Sequence, residues 1–224
     1  MASTVRPGIF KKGFQAMLPI STGIIPFGAV MGSISADAKL SLFETISMNV
    51  LVFAGTSQLA AIDLMANNAA SAVIVMTGLI INLRFLLYSA ALSPVVQSTG
   101  FWTKLASSYV VTDQTYAVMS AHQDKLKSNA ESITFYFGAS VCMLIAWHAS
   151  VVAGHIFGNF APASLALDYA VPLSFVSLVL PTLKNRLYVV IAAFSSGVSL
   201  VLNGLPYRTG LIATALLSVA LAAF

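Results

Sequence analysis

Residues 79–94 read Leu-Ile-Ile-Asn-Leu-Arg-Phe-Leu-Leu-Tyr-Ser-Ala-Ala-Leu-Ser-Pro, and Arg84 lies inside an apolar run long enough to cross a bilayer. An arginine at the centre of a membrane helix costs roughly 2.5 to 3.5 kcal/mol. Such a residue persists when it is partnered inside a helix bundle or faces a water-filled cavity. Arg84 is therefore the first candidate for a functional site in this sequence.

The composition of the whole chain points to the same environment. Of the 224 residues, 58% are apolar and 8% are charged, and the mean hydropathy is +0.89. Soluble domains have about 45–50% apolar and about 25% charged residues. We therefore predict an all-α integral membrane protein of about seven to eight transmembrane helices, some broken by Pro or Gly. The chain reads as a single transmembrane domain, 1–224.

Apolar windows between polar breaks define the predicted spans, which are 14–34, 43–65, 69–92, 102–121, 132–156, 168–182, 187–204 and 208–224. The segment 102–121 is the most polar of them and reads either as a polar inner helix or as two half-helices. With a cytoplasmic N-terminus, most of the basic residues outside the spans fall on the cytoplasmic side. The net charge of +4 therefore reflects membrane orientation and does not indicate nucleic acid binding.

Two proline-containing segments lie at similar places in the two halves of the chain. Pro26 and Gly28 interrupt the first predicted span, and Pro172 interrupts the sixth. Short or broken spans in both halves are typical of transporters built from inverted repeats with a binding site near the membrane midplane. The pattern favours broken helices and an internal inverted repeat, although Pro and Gly are also common in ordinary membrane helices.

The second predicted span carries a polar cluster at its centre, Phe53-Ala54-Gly55-Thr56-Ser57-Gln58. Gly55 and Ser57 allow another backbone or a ligand to approach closely, and Gly55 alone is better explained by helix packing. Gln58 is a bulky amide in the middle of an apolar segment. Because a polar group in lipid must be satisfied, Gln58 is expected to line a cavity.

The third and fourth predicted spans supply the charged candidates. Asn82 and Tyr88 flank Arg84, with Tyr88 one helical turn beyond it on roughly the same face. Asp113, which is followed by Gln114, is the natural partner for Arg84, because both residues fall near the middle of their spans. The pair reads equally well as a structural staple between helices and as a group that contacts substrate.

Several other kinds of site gain no support. Cys142 is the only cysteine, and the three histidines have no spacing typical of metal ligands. The sequence contains no hydrolase or phosphate-binding motif. We therefore expect no enzymatic activity, no metal and no cofactor.

These motifs together resemble the AzlC family, the large subunits of branched-chain amino acid exporters of the YgaZ or BrnF type. The resemblance covers about the first 185 residues. It rests on Pro26-Phe27-Gly28, Phe53 to Gln58, Asn82-Leu83-Arg84 through Tyr88 to Pro94, Thr112-Asp113 with Tyr116-Ala117, and Leu167 to Pro172 leading to Pro181. One departure is Gln114, since the family pattern typically has Asp-Glu where this chain has Asp113-Gln114.

The resemblance implies a permease of the bacterial cytoplasmic membrane that exports Leu, Ile, Val or Met, driven by protons. It also implies a heteromeric complex with a small AzlD or YgaH type membrane subunit, and it leaves room for higher oligomers. Two alternatives stay open: a scaffold subunit without a substrate path, and a channel for another small solute. Because Gln114 stands in place of a glutamate, Asp113 is left as the main candidate for carrying the coupling proton.

Overall fold

The computed structural model describes residues 5–157, 183, 185–204 and 209–222, and the regular structure in these ranges is helical. The helices are α1 Ile9–Asp37, α2 Leu42–Val52, α3 Gly55–Ala66, α4 Ser71–Asn82, α5 Arg84–Val96, α6 Phe101–Tyr109, α7 Asp113–His122, α8 Asn129–Phe157, α9 Arg186–Val201 and α10 Thr209–Ala222. A 3₁₀ turn, Gln123–Lys125, lies between α7 and α8.

Three of the described segments are long and apolar enough to cross a membrane: α1, α8 and the joined α4–α5 segment Ser71–Val96. The remaining described helices are shorter. The all-helical membrane class predicted from composition agrees with this architecture. The structure does not reproduce the predicted division into eight spans. Two of the predicted spans, 43–65 and 102–121, are each split into two short helices.

Helices α1 and α8 run parallel and form the closest packed pair in the described residues. A Cβ added at Gly138 of α8 would collide with the backbone of Phe10 near the start of α1, and one at Gly32 would collide with the backbone of Val151 near the end of α8. Glycine at these positions lets the two backbones touch. Because the start of α1 packs against the first half of α8 and the end of α1 packs against the end of α8, both helices point in the same direction.

An ion pair joins the beginnings of these two helices. Arg6 Nε lies 2.6 Å from Glu131 Oε1, and Arg6 Nη2 donates to Lys125 O at 3.2 Å. The hydrogen bonds to Glu131 raise the pKa of the Arg6 guanidinium above its ordinary value. The pair therefore marks one end of the bundle, which we call the basic end because Arg6, Lys11, Lys12, Lys125 and Lys127 lie toward it.

The α4–α5 segment crosses the bundle in the opposite direction. It begins at Ser71 and ends near the start of α8, where Asn129 Nδ2 donates to Pro94 O at 3.1 Å. Its apolar side chains are largely exposed, as expected for a surface in contact with lipid or another subunit.

Helices α2 and α3 form a re-entrant hairpin from the end of the bundle opposite the basic end. Thr45 Oγ1 lies 3.0 Å from Nδ1 of His155 near the end of α8, so α2 begins there. At the far end of α3, Asp63 lines one cavity together with Asp37, the last residue of α1. Each helix is about 17 Å long at 1.5 Å per residue, roughly half the thickness of a bilayer core.

Helices α6 and α7 form a second hairpin, from the basic end. The ring of His122, the last residue of α7, lies tilted against that of Phe135 near the start of α8 with 5.1 Å between ring centroids. Near the start of α6, Lys104 lines a cavity with Val96 and Ile133. A long helix followed by a hairpin therefore occurs twice in opposite directions, α1 with α2–α3 and α4–α5 with α6–α7, which is the topology of an inverted repeat.

This arrangement corrects two expectations and leaves one untested. The segment 43–65 is not one crossing helix, and 102–121 takes the half-helix alternative. The break expected at Pro26 is absent: α1 is continuous through Pro19 and Pro26, and Gly28 packs against Ser150. Membrane helices tolerate proline where neighbouring helices support them. Pro172 lies outside the described residues.

Candidate functional site

The tips of the two hairpins meet inside the bundle. At the first tip, Phe53 adopts φ 44° and ψ 42°, a left-handed conformation that bulky residues rarely occupy. Its ring stacks on Tyr109 at the second tip, with 5.7 Å between centroids, and Tyr109 Oη donates to Val50 O at 2.7 Å. Strain held by surrounding structure is common at functional sites. The meeting point of the tips is therefore a candidate site.

A bend in the α4–α5 segment places Arg84 at this meeting point. Leu83 N donates to Ile80 O at 3.2 Å and Leu86 N donates to Leu83 O at 3.0 Å, so the helix tightens locally to a 3₁₀ pattern. Short 3₁₀ stretches inside a helix often mark a functional hinge. Arg84 is the first residue after the bend.

Arg84 joins the first turns of two half-helices that belong to different hairpins. Its Nη1 lies 2.9 Å from Asp113 Oδ2 on α7, and its Nη2 donates to Thr56 Oγ1 on α3 at 2.7 Å. The side chains of Arg84 and Asp113 are 26% and 11% exposed. The guanidinium also lies 5.2 Å from the centroid of the Phe85 ring. The structure thus brings together the two charges that the sequence singles out.

Tyr88 holds the other oxygen of the same carboxylate. Tyr88 Oη donates to Asp113 Oδ1 at 2.7 Å, and the Tyr88 ring stacks on Tyr116 with 4.7 Å between centroids. Each Asp113 oxygen therefore has a partner on the α4–α5 segment. Charge-assisted hydrogen bonds of this kind are short and fix geometry.

The two half-helix N-termini at the site differ in their capping. Thr112 and Thr115 form a reciprocal capping box at the start of α7, which also carries the acidic Asp113. The start of α3 has Ala54 in the N-cap position and no side-chain cap. Since first-turn N–H groups have no partner within their own helix, and no side chain of the described residues caps them, the start of α3 offers backbone donors and a partial positive charge at the site.

The cavity at this point combines those polar groups with an apolar wall. Its remaining lining is mainly aromatic and aliphatic: Ile24, Phe27, Phe53, Ala54, Gly55, Phe85, Thr112, Gln114, Met143 and Trp147. Phe27 and Trp147 meet edge to face with 5.2 Å between centroids. A few polar groups in an apolar cavity are typical of a site for a small molecule.

Two buried polar atoms around the junction of α4 and α5 lack a hydrogen-bond partner in the described part of the chain. They are Arg84 Nε and Asn82 Oδ1. Among the guanidinium nitrogens of Arg84, Nη1 and Nη2 contact Asp113 and Thr56, and Nε has no partner in the described residues. A buried group without a partner costs free energy, so it calls for an explanation, such as a ligand or an ordered water.

Three of the predicted site residues, Gly55, Ser57 and Gln58, lie at the tip of the α2–α3 hairpin. Gln58 does not line the cavity: its Oε1 accepts from Ala54 N at 3.2 Å and its Nε2 donates to Asn49 Oδ1 at 3.4 Å. Ser57 Oγ donates to Ala54 O at 2.9 Å. Gly55 does line the cavity, and an added Cβ there would meet the Trp147 ring. The expectation that Gln58 lines the cavity is therefore wrong, because its amide satisfies the backbone at the helix break.

The sequence reasoning missed two contributors. Thr56 lay inside the recognised polar cluster, but a threonine hydroxyl gives no distinctive signal in an apolar segment. Asn49 is 1% exposed and accepts a hydrogen bond from Trp147 Nε1, which ties α2 to α8. An amide seven residues after the start of α2, in an apolar segment, is the signal that could have found it.

Comparisons with known proteins place this arrangement in a family. A family model described as AzlC protein matches residues 19–161, which include both hairpins and Arg84. An uncharacterized membrane protein of Archaeoglobus fulgidus is 28% identical over 194 residues, covering 83% of this chain and 81% of that protein. An uncharacterized membrane protein of Helicobacter pylori strain J99 is 25% identical over 182 residues, covering 79% and 77%. No solved structure matches the chain significantly.

Proposed function

Because the chain belongs to the AzlC family, we propose that it is a secondary transporter that exports branched-chain amino acids, and methionine, across the cytoplasmic membrane. The observation that supports this proposal best is the Arg84–Asp113 ion pair, 2.9 Å long, at the meeting point of two hairpin tips. The proposal treats the chain as a carrier and not as an enzyme.

The charges of the pair complement those of a zwitterionic amino acid. In the proposed bound state the pair opens and the amino acid enters between its members. The substrate carboxylate takes the place of Asp113 on the Arg84 guanidinium, which offers a bidentate fork, and receives further donors from the uncapped start of α3. The substrate ammonium binds the freed Asp113 carboxylate.

The apolar wall of the cavity is suited to bind the aliphatic side chain of the substrate. Phe27, Met143 and Trp147 line the cavity on the side of α1 and α8. Burying the side chain of valine or leucine against such a wall contributes about 1.5–3 kcal/mol. Methionine fits the same wall because its side chain is apolar and flexible.

Asp113 also offers a route for proton coupling. Protonation of Asp113 removes the negative charge that holds the substrate ammonium, so a proton and the substrate compete for the same group. Such competition is the basis of proton antiport, in which proton uptake releases the amino acid. Gln114, which lines the cavity beside Asp113, has no titratable group, so the proposal assigns the coupling proton to Asp113.

The distribution of basic residues supports an orientation. Within residues 5–157, Arg6, Lys11, Lys12, Lys104, Lys125 and Lys127 lie toward the basic end, whereas Lys39 lies toward the other. Positive charge favours the cytoplasmic side. We place the basic end, and with it the beginning of α1, in the cytoplasm.

A partner subunit is part of the proposal. The exposed apolar side chains of α4 and α5 include Leu86 and Leu87, which are 66% and 69% exposed. A small membrane subunit of the AzlD or YgaH type, together with lipid, would cover such a surface. The proposed complex exports substrate only when both chains are present.

Efflux from preloaded cells tests the proposal. Cells loaded with radiolabelled valine or methionine would express the chain alone, with the genomically adjacent small membrane protein, or neither. We expect efflux only with both chains, and its loss when an uncoupler collapses the proton gradient. Absence of efflux in all cells would refute amino acid export, and uncoupler-insensitive downhill movement would indicate a channel.

The charge-swapped double variant Arg84→Asp with Asp113→Arg separates direct binding from a structural staple. It keeps an ion pair but reverses the charges that face the uncapped start of α3. Loss of efflux at normal membrane abundance is the expected result. Retained efflux would show that the pair only joins helices and would favour a scaffold role for it.

A further inference from the structure

A second, larger cavity lies between α1, α3 and α4. Counting space that is open to solvent, its empty volume is about 1260 Å³, against about 390 Å³ for the site cavity. It is lined by Ile34, Asp37, Ala38, Thr56, Leu59, Ala60, Ile62, Asp63, Ala66 and Ile81. Asp37 and Ala38 mark the end of α1, so this cavity opens toward the end of the bundle opposite the basic end.

One face of α3 connects this cavity with the site. Thr56, Leu59, Asp63 and Ala66 follow each other at steps of three or four residues, which places them in a row along the helix. Thr56 lines both cavities. From Thr56 to Ala66 the row extends for about 15 Å at 1.5 Å per residue, so it runs from the site to the end of the hairpin.

The two carboxylates that line the larger cavity indicate that it holds water. Asp63 and Asp37 are exposed and lie among its lining residues. A carboxylate facing lipid tails is costly, whereas one facing a wet cavity is not. Carboxylates along the walls also attract a positively charged group such as a substrate ammonium.

A hydrogen bond between side chains lies at Thr56, the residue that the linings of both cavities share, and we call this contact the floor of the larger cavity. Arg84 Nη2 donates to Thr56 Oγ1 at 2.7 Å, and Arg84 belongs to the site cavity only. Asp113, the other partner of Arg84, accepts a hydrogen bond from Tyr88 Oη, and the Tyr88 ring stacks on Tyr116.

We propose that the α3 face from Thr56 to Ala66, with the end of α1, forms the external half of the substrate path, and that the Arg84–Thr56 hydrogen bond separates it from the site. This rests on the proposed transport function. When the carboxylate of an amino acid binds the Arg84 guanidinium, the Arg84–Thr56 hydrogen bond breaks and the substrate leaves along the α3 face.

Cysteine labelling tests the path without requiring transport. Cys142 is buried and is the only cysteine of the chain, so the natural protein supplies the background. A membrane-impermeant cationic thiol reagent would be added to intact cells carrying Leu59→Cys or Ala66→Cys. Controls are Leu79→Cys, on the exposed apolar surface of α4, and Ser108→Cys, which lines the cavity toward the basic end.

We expect external labelling of Leu59→Cys and Ala66→Cys and none of the two controls, with Ser108→Cys labelled only in inside-out vesicles. Labelling of Ala66→Cys without Leu59→Cys in intact cells would overturn the path, as would labelling of Leu59→Cys only from inside. If the labelling pattern is as expected but the protein exports no amino acid, the proposed path stands and the proposed substrate is wrong.

The role of the Arg84–Thr56 hydrogen bond is tested at Gln114, which lines the site cavity but not the larger one. External labelling of Gln114→Cys is compared in the Thr56→Val and Thr56→Ser backgrounds. Valine removes the hydroxyl at nearly constant volume, and serine keeps it. We expect faster labelling with valine only, and equal rates in the two backgrounds would show that the hydrogen bond does not separate the cavities.

Discussion

At the scale of single residues, the account depends on Arg84. An arginine in a 26-residue apolar segment is costly, and the structure supplies the compensation through Asp113, Thr56 and the Phe85 ring. Arg84 and Asp113 could be found from the sequence because charges are rare in such segments. Thr56 could not, because a small hydroxyl is common in membrane helices and its partner lies 28 residues away.

Replacing Arg84 by lysine tests the need for a fork of donors. Lysine keeps the charge, but its single ammonium cannot reproduce the planar geometry that reaches both Asp113 and Thr56. Losing one charge-assisted hydrogen bond costs about 1.5–3 kcal/mol, so we expect valine efflux by Arg84→Lys to fall roughly 10- to 100-fold. Efflux at the natural rate in cells with equal protein abundance would contradict this role.

Replacing Tyr88 by phenylalanine tests how Asp113 is positioned. The variant loses the 2.7 Å hydrogen bond to Asp113 but keeps the ring that stacks on Tyr116. We expect valine efflux to drop by about tenfold with little change in thermal stability.

Tyr116→Phe is the matched control for this prediction. It keeps the same stacked pair, and the Tyr116 hydroxyl makes no hydrogen bond within the described ranges of the chain. Its efflux should match that of the natural protein. Because both variants keep the stacked rings, equal losses of efflux in the two would show that the Tyr88–Asp113 hydrogen bond is not what matters.

At the scale of helices, the two hairpins explain why the sequence reading of the spans went wrong. Helices α2 and α3 contain 11 and 12 residues, so together they have the length and apolarity of one membrane helix. Hydropathy averages over the break at Phe53 and cannot show that the chain turns back. Pro26 was the wrong signal for a break, because α1 passes through it while packed against α8.

The α1–α8 pair makes a prediction about stability. In Gly138→Ala the new methyl group would collide with the backbone of Phe10, which cannot move without separating the two helices. Overpacking of this kind costs about 1–3 kcal/mol, so the melting temperature of the purified protein should fall. Gly78→Ala is the control, because no atom lies within 4 Å of its added Cβ.

Gly78→Ala should leave the melting temperature unchanged or raise it slightly, since alanine favours a helix by about 0.5–1 kcal/mol over glycine. A fall of similar size in both variants would mean that glycine matters to these helices for a reason other than close packing.

At the scale of the whole molecule, the hairpins decide which loops lie on which side of the membrane. A crossing helix at 43–65 would put residue 70 on the cytoplasmic side and residue 97 outside. The hairpins reverse both positions, because α3 returns to the end where α2 begins and α5 ends beside α8.

Labelling of two exposed loop positions distinguishes these arrangements. Ala70→Cys should react with an impermeant thiol reagent in intact cells, and Gln97→Cys only in inside-out vesicles. The opposite pattern would show that the segment 43–65 crosses the membrane completely. It would also mean that two hairpin tips do not meet at Arg84.

The central claim is that the Arg84–Asp113 pair opens to bind a zwitterion, and competition against radiolabelled valine in membranes containing the protein tests it most directly. The competitors are valine, isovalerate, which lacks the ammonium, and isobutylamine, which lacks the carboxylate. The account predicts that only valine competes well, because each analogue leaves one member of the separated pair without a partner. Isovalerate or isobutylamine competing as strongly as valine would contradict it.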